Sequence, residues 1–380
     1  MPLPPVYGHA DARAMLASAA RAGNLSQSLL VHGPAGIGKE RMAMWLAQRV
    51  MCEAPRADGP CGQCRSCRSI DRLEHPDVHW FFPLPRPDAA TPEKLRDKLE
   101  EARGVELEAR RANPHHVPQF DKAPAYFMGT IQNLQRLAGM RPAVGSRKVF
   151  VVGDAEAMVP QESSQEAANA FLKLLEEPPA DTTLILTSSN PGALLPTIKS
   201  RVLPIRLLRL TADEVRDFLV RELKMADGEA ASLAAVSEGA IGRALRLAPA
   251  GGNAGTLQRQ RETGRELLQA ALADSEAARF AAANAVAPSG ARGEFTGTLE
   301  SLALWLRDLM AIAAGAPDTV AYAGADEALL RRLASRPGLR AEGVARAILH
   351  VQEAQEMAGG NVNPQLILSD LLRSVRRALS

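Results

Sequence analysis

The run Gly33-Pro-Ala-Gly-Ile-Gly38-Lys39-Glu40 has the spacing of a loop that cradles phosphate. Glycines at 33, 36 and 38 let backbone N–H groups turn onto anionic oxygens. The lysine reaches the outer phosphates, and a helix opening at this point adds partial positive charge. Gly33, Gly36, Gly38 and Lys39 are thus candidate residues for binding ATP or ADP. The next position should be Ser or Thr, whose hydroxyl helps to hold Mg²⁺. Here it is Glu40, a carboxylate set beside a polyanion.

A second run, Val151-Val152-Gly153-Asp154-Ala155-Glu156, falls where a hydrolytic site carries an Asp for the metal and a Glu for the attacking water. In the simplest register Gly153 takes the metal-binding place and Asp154 the water-activating one. Slipped by one, Asp154 takes the first place and Ala155 the second. The pair is broken in both. Hydrolysis by this chain alone is not expected, and nucleotide binding is left open.

All four cysteines lie in one short segment, as Cys52-x8-Cys61-x2-Cys64-x2-Cys67. Cys-x2-Cys spacing lets two sulfurs converge on one ion at about 2.3 Å, and Gly59 and Gly62 permit the turns. Zn²⁺ is the default for four thiolates. With all four ligand places filled by protein, the site reads as structural. A redox Cys-x-x-Cys reading leaves two cysteines unexplained. His75 and His79 read as packing or surface residues.

These residues need elements to hold them. Leu29–His32, Lys148–Val152 and Leu184–Thr187 are short apolar runs of buried-strand type. Met42–Met51 and Ala167–Glu177 read as helices, the second stopping before Pro178-Pro179 as helices do. Strands alternating with helices predict an α/β domain with a mostly parallel sheet covered on both faces. After about residue 208 the pattern becomes helical, opened by the capping-box sequence Thr211-Ala-Asp-Glu214. Pro249-Ala-Gly-Gly-Asn253 is a candidate linker, and from Leu257 onward apolar residues recur at helical spacing, as in a bundle. Residues 83–125 stand apart: four prolines stiffen the start, and Glu93–Arg111 is densely charged, with Leu95 and Leu99 one turn apart. This insert reads as a solvated surface helix, with a partner-binding arm as the alternative.

At 380 residues the chain has room for two or three domains. Apolar residues make up 46%, enough for packed cores. The 45 basic and 43 acidic residues leave a net charge of +2, so no whole-chain positive field marks a nucleic-acid binder. No apolar run is long enough to cross a membrane. The first thirty residues lack the pattern of a secretory signal, which predicts the reducing cytoplasm, where thiols bind metal or stay free.

A phosphate loop with a cysteine insert after its helix resembles the clamp-loader subunits of bacterial DNA polymerase III. Further stretches agree with that family: His75-Pro-Asp-Val-His-Trp80 with the strand after the zinc module, Asn169-Ala-Phe-Leu-Lys-Leu-Leu-Glu-Glu-Pro178-Pro179 with its signature helix, and Ser188-Ser-Asn-Pro191 with the sensor-1 region. Ile198-Lys-Ser200-Arg201-Val202 resembles the Ser-Arg-Cys motif, with Val202 in place of the cysteine. Gly239-Ala-Ile-Gly242-Arg243-Ala-Leu245 is similar to the sensor-2 helix, and Tyr7-Gly8-His9 to the segment near the adenine. The family contains motor subunits with intact Walker motifs and delta-prime subunits with degenerate ones. In Glu40 and Gly153 this chain resembles the delta-prime group. Val202, about four extra residues around 160–165, and the 83–125 insert depart from the pattern.

The resemblance implies an AAA+ nucleotide-binding-like domain over 1–208 with its four-cysteine zinc module (52–67) and charged insert (83–125), a helical lid over 209–250, and a helical collar over 255–380. It implies a stator in a hetero-pentamer with delta and gamma or tau subunits, which loads a sliding clamp on primed DNA as part of the DNA polymerase III holoenzyme, a nucleotidyltransferase. It makes Arg201 an arginine finger acting in trans and adds Arg243 to the degenerate nucleotide site. Three other readings compete with it. An active clamp-loader ATPase would carry Ser or Thr at 40 and Asp at 153. A metabolic P-loop kinase would need an acceptor site and no zinc insert. A zinc-dependent DNA-binding module would need a basic recognition helix.

Overall fold

Five parallel strands form one sheet in the order β2-β3-β4-β1-β5. They are β1 Ser28–His32, β2 Val78–Phe81, β3 Lys148–Val152, β4 Thr182–Ser188 and β5 Leu203–Arg206. In register, Leu30 pairs with Leu186 and with Pro204, and Phe150 pairs with Leu184 and with His79. β3 and β4 are buried along their whole length, as parallel strands covered on both faces must be. β5 is an edge, and its Pro204 costs no ladder bond there. The computed structural model describes residues 2–118, 120, 122–158, 166–248, 254–285, 292–316, 325–358 and 362–380. The extra residues at 160–165 and the linker at 249–253 lie outside the described residues.

The chain divides into two units, Met1–Pro118 with Pro124–Leu245 and Gln119–Ala123 with Arg246–Ser380. In the first, α1 is Ala10–Arg21, α2 Lys39–Met51, α3 Arg65–Asp71, α4 Pro92–Ala112, α5 Met128–Gly139, α6 Glu166–Glu176 and α7 Pro196–Lys199. Ile131 and Leu134 of α5 and Phe171 of α6 join Leu30, Phe150, Val152, Leu184 and Leu186 in one core. After β5 come α8 Ala212–Leu223, α9 Asp227–Val236 and α10 Ile241–Leu247, with a core around Val215, Phe218, Leu219 and Ala230. The capping box at the start of α8 is formed: Thr211 Oγ1 accepts from the Glu214 N–H at 3.2 Å, and Glu214 Oε2 from the Thr211 N–H at 2.8 Å.

Among its described residues the second unit is built of helices joined by turns and loops: α11 Ala254–Leu272, α12 Glu276–Asn284, α13 Arg292–Ala313, α14 Ala325–Ala334, α15 Ala341–Ala358 and α16 Pro364–Ala378. Leu268, Leu302, Trp305, Leu309, Val344, Val351, Leu368 and Leu372 fill its core. The Trp305 indole buries its polar end by donating to the Arg261 carbonyl at 3.2 Å.

The insert departs from the solvated helix that its composition predicts. Thr91 caps α4 by accepting from the Lys94 N–H, and Pro92 opens its first turn. One stripe of this helix is buried, and it carries Leu99, Glu106 and Arg110. Two of the three are charged, so counting apolar residues misses the stripe.

Candidate functional site

Helix α2 holds a candidate site at each end. Its N-terminus is the phosphate loop. Gly36 and Gly38 have φ of 76° and 95°, the left-handed region that glycine enters freely. Lys39 is buried and held by the loop itself. Its Nζ donates to the Pro34 carbonyl at 2.9 Å and to Ser189 Oγ, just after β4, at 2.8 Å. Burial lowers its pKa; Asp154, Glu156 and Glu40 pull the other way.

The structure fixes the register of the second run. Gly153 continues β3, its N–H bonding the Phe81 carbonyl at 2.8 Å. A Cβ added at Gly153 would lie 2.2 Å from Glu40 Oε1. The Glu40 carboxylate therefore fills the space into which a side chain at 153 would grow. The two departures from the hydrolytic pattern are one arrangement: the side chain missing from β3 is replaced by a longer one from α2.

Asp154 follows with φ of 43°, its N–H bonded to Thr187 Oγ1 at 3.1 Å. The residue is exposed to solvent, although protein atoms crowd its carboxyl. That crowding, then the neighbouring Glu40 and Glu156, push its pKa up to about 7, against Lys39 and Arg110. Glu156 braces the backbone after β4, where its Oε1 accepts from the N–H groups of Ser189 and Asn190 at 2.8 and 3.2 Å.

The insert closes this neighbourhood. Arg110 Nη1 lies 3.6 Å from Glu40 Oε2, and its Nε donates to Glu106 Oε1 at 2.9 Å. The guanidinium also sits 4.3 Å from the ring centre of Trp80 and 4.2 Å from that of Phe82. A planar, weakly hydrated cation suits such an aromatic seat. Tyr126, beyond α4, donates its hydroxyl to the Gly153 carbonyl at 2.6 Å. Sequence reading did not single out Arg110, Glu106 or Tyr126. The only local signal was the Glu106–Arg110 spacing, which exposed helices also use freely.

The α10 segment rests on the loop by backbone. The Gly242 N–H donates to the Gly36 carbonyl at 2.8 Å, and a Cβ at Gly242 would fall 2.9 Å from Gly36 Cα. Arg243 is brought beside the loop in this way, but its guanidinium pairs with Glu238 at 3.2 Å. At the N-terminal segment, His9 Nε2 lies 2.9 Å from the Ile37 carbonyl, and Tyr7 bonds Glu222 and packs edge-on against Phe218. Arg201 follows α7 and is partly exposed. It bonds Glu176 Oε1 at 2.7 Å and the Thr197 carbonyl at 2.9 Å.

At the other end of α2 the four cysteine sulfurs all lie within 4.8 Å of one another. Sulfurs at tetrahedral corners about 2.3 Å from a zinc would be about 3.8 Å apart, close to the 4.0 Å between Cys61 and Cys67. Backbone N–H groups converge on the sulfurs: Gln63 and Cys64 on Cys61, Cys67 on Cys64, and Cys61 on Cys52. N–H donation favours thiolates, and it draws the Cys61 thiol down to about 6, while burial pushes Cys52 and Cys67 up. Gly62, at φ 72°, makes the turn between the first two N–H donors and their sulfur. The module is anchored to α2 by Gln48, whose Nε2 donates to the Cys67 carbonyl at 3.2 Å, and by Gly59 against Trp45. These four cysteines are a site that can hold a metal ion. His75 is buried and accepts from the Asp77 N–H, and His79 stacks on Phe150 at 4.9 Å. Both are packing residues.

The family described as DNA polymerase III, delta subunit, matches residues 8–211, more than half of the chain. The delta' subunit of DNA polymerase III from Pseudomonas aeruginosa is 35% identical over 176 residues, covering 46% of this chain and 41% of that protein. The tau subunit from Salmonella typhimurium is 28% identical over 211 residues, covering 56% of this chain and 26% of its own length. Both curated relatives are thus matched over less than half their length. The crystal structure of a DNA polymerase III gamma subunit-related protein from Thermotoga maritima aligns at 19% identity with a TM-score of 0.38, over 95% of this chain and 98% of that one. Among the described residues, no helix is long and apolar enough to cross a membrane.

Proposed function

This chain belongs to the DNA polymerase III delta-subunit family, and we propose that it serves there as the non-hydrolysing, delta-prime-type subunit of a clamp loader. The observation that carries this is the Glu40 carboxylate filling the space beside Gly153. Phosphoryl transfer depends on a metal ion placed between phosphate oxygens and protein ligands. Here both ligand positions are altered and packed against each other. A motor subunit needs them open, and so does a metabolic kinase.

In this reading the first unit is an AAA+ nucleotide-binding-like domain with its helical lid, and the second is the collar that joins the subunit to delta and to gamma or tau. The assembly places a sliding clamp on primed DNA in the cytoplasm, its contacts to DNA falling mainly on phosphates. The four cysteines hold structural Zn²⁺, since four thiolates leave no open coordination place. Gly33, Gly36, Gly38, Lys39 and Arg243 are what remains of a nucleotide site.

Arg201 is the residue that acts outward. A guanidinium stays charged and carries donors in a planar fork, which lets it stabilise a neighbour's γ-phosphate across an interface. In this chain it rests on Glu176, partly exposed, a pairing worth only about 0–1 kcal/mol. It can therefore be exchanged cheaply for a phosphate. In a loader reconstituted with gamma or tau, Arg201→Ala should leave assembly and zinc content intact and lower both ATPase and clamp loading. An arginine finger is worth ~10³–10⁵ at its own site, but only one interface is affected, so the bulk loss will be smaller. Unchanged loading and ATPase in an assembly that contains the variant would reject the role.

A further inference from the structure

The insert over 83–125 has no part in the function just described, yet its α4 sends a buried arginine to the one place where the hydrolytic pattern is broken. We propose that Arg110 is a built-in cation that stands in for the divalent metal of a phosphate-loop centre, so that the insert is a plug that keeps metal out.

The charge arrangement around the centre leads to this. Glu40 comes from α2, Glu106 from α4, and Asp154 and Glu156 follow β3; Lys39 and Arg110 are the cations that act on them. Glu40 and Glu106, carboxylates from two elements brought together beside a phosphate loop, offer a seat with the oxygen donors that a hard divalent ion takes. Arg110 occupies that seat. Its guanidinium touches Glu40 and Glu106 together, at 3.6 and 2.9 Å. It is itself more than nine-tenths buried, at 8% exposure.

The seat is constructed for this side chain. Trp80 and Phe82, on one side of β2 and its extension, meet edge-to-face at 5.9 Å and both contact the guanidinium. His116 Nε2, at 3.3 Å, adds a second partner to the Glu106 carboxylate. The neighbouring turn of α4 is fixed as well, with Arg103 over the Phe81 ring at 4.8 Å and bonded to the Trp80 carbonyl at 3.2 Å. An arginine tied by two carboxylates and two rings loses little further freedom when it stays. A divalent ion entering here would have to displace it and leave a buried guanidinium unpaired. This role of Arg110 concerns the centre alone and stands whether or not the chain works in a clamp loader.

Mn²⁺ is the probe, and the full chain, loaded with zinc so that the thiolates are occupied, is the sample. Free Mn²⁺ is counted by its paramagnetic resonance signal during titration. The wild-type chain should show no uptake that Glu40→Gln removes. Arg110→Gln leaves the carboxylates without their cation and should bind Mn²⁺ at least about tenfold more tightly than wild type, given the strength of unit charges at such distances. Adding Glu40→Gln to Arg110→Gln should abolish the gain, which locates it at this centre. Arg110→Lys keeps a cation and should exclude Mn²⁺ as the wild type does. A folded, zinc-loaded Arg110→Gln chain with no gain in Mn²⁺ affinity would overturn the proposal. If that variant does not fold, the wild-type titration decides instead: uptake of Mn²⁺ lost in Glu40→Gln would overturn the proposal equally.

Discussion

The two ends of α2 carry two ion-binding designs, one complete and one filled by protein. At the C-terminal end four sulfurs converge within 4.8 Å, supported by backbone N–H groups, and leave room for one ion. At the N-terminal end Glu40 fills the space beside Gly153, Lys39 is bonded to Pro34 and Ser189, and Arg110 neutralises what remains. A recognisable loop sequence preserves a backbone shape, whereas an ion site survives only if its ligand atoms keep an empty centre between them.

The largest effect is expected at the cysteine end. Protein purified without added metal should carry about one zinc per chain, and the double variant Cys61→Ser, Cys64→Ser should carry none by elemental analysis. Structural zinc supplies ~10–16 kcal/mol to small peptide domains. Its loss here should loosen residues 52–67 first, seen as faster amide exchange in that segment. Full retention of zinc by the double variant would remove this half of the contrast.

The phosphate-loop end should respond to crowding instead. Gly153→Asp restores the residue type of a hydrolytic centre, yet it forces a second carboxylate onto Glu40. It should cost about 1–3 kcal/mol in denaturant unfolding. Adding Glu40→Thr should recover most of that loss, a coupling expected only of residues in contact. Additive costs would show that the two positions do not share one space.

A smaller effect concerns pH. The Asp154 pKa is raised to about 7 by protein crowding around its carboxyl and by the neighbouring Glu40 and Glu156, while Lys39 and Arg110 pull it down. Its folded pKa lies above the ordinary value of about 4, so the native state holds the proton more tightly than the unfolded chain. The stability it contributes is full below about pH 4 and is lost as pH rises through about 7. Asp154→Asn should therefore flatten the fall in urea midpoint between about pH 5 and about pH 8. An unchanged slope would show that this carboxyl titrates normally.

Legibility in the sequence followed locality. The cluster of four sulfurs was readable because all four cysteines lie in a short segment with turn glycines between them. β1, β3 and β4 were readable because burial on both faces makes each a continuous apolar run. β5 was missed: Leu203 is half exposed and Pro204 argues against a central strand, yet both are tolerated at an edge. The Glu40–Gly153 contact was readable only as two separate departures, since the chain between them is long. Arg110 was not readable at all. Its burial depends on α4 folding back onto β2, and nothing in the charged run from 93 to 111 distinguishes the buried arginine from its solvated neighbours.

A chain that supports clamp loading without working its own phosphate loop should be needed in the loader and yet tolerate loss of its loop lysine. The direct measurement is clamp loading on primed DNA by delta and gamma or tau, assembled with the wild-type chain, with Lys39→Ala, or without the chain. Loading should collapse when the chain is omitted and be restored fully by Lys39→Ala that is folded, zinc-loaded and present in the assembly. A Lys39→Ala assembly as inactive as the one lacking the chain would mean that the phosphate loop itself works in loading.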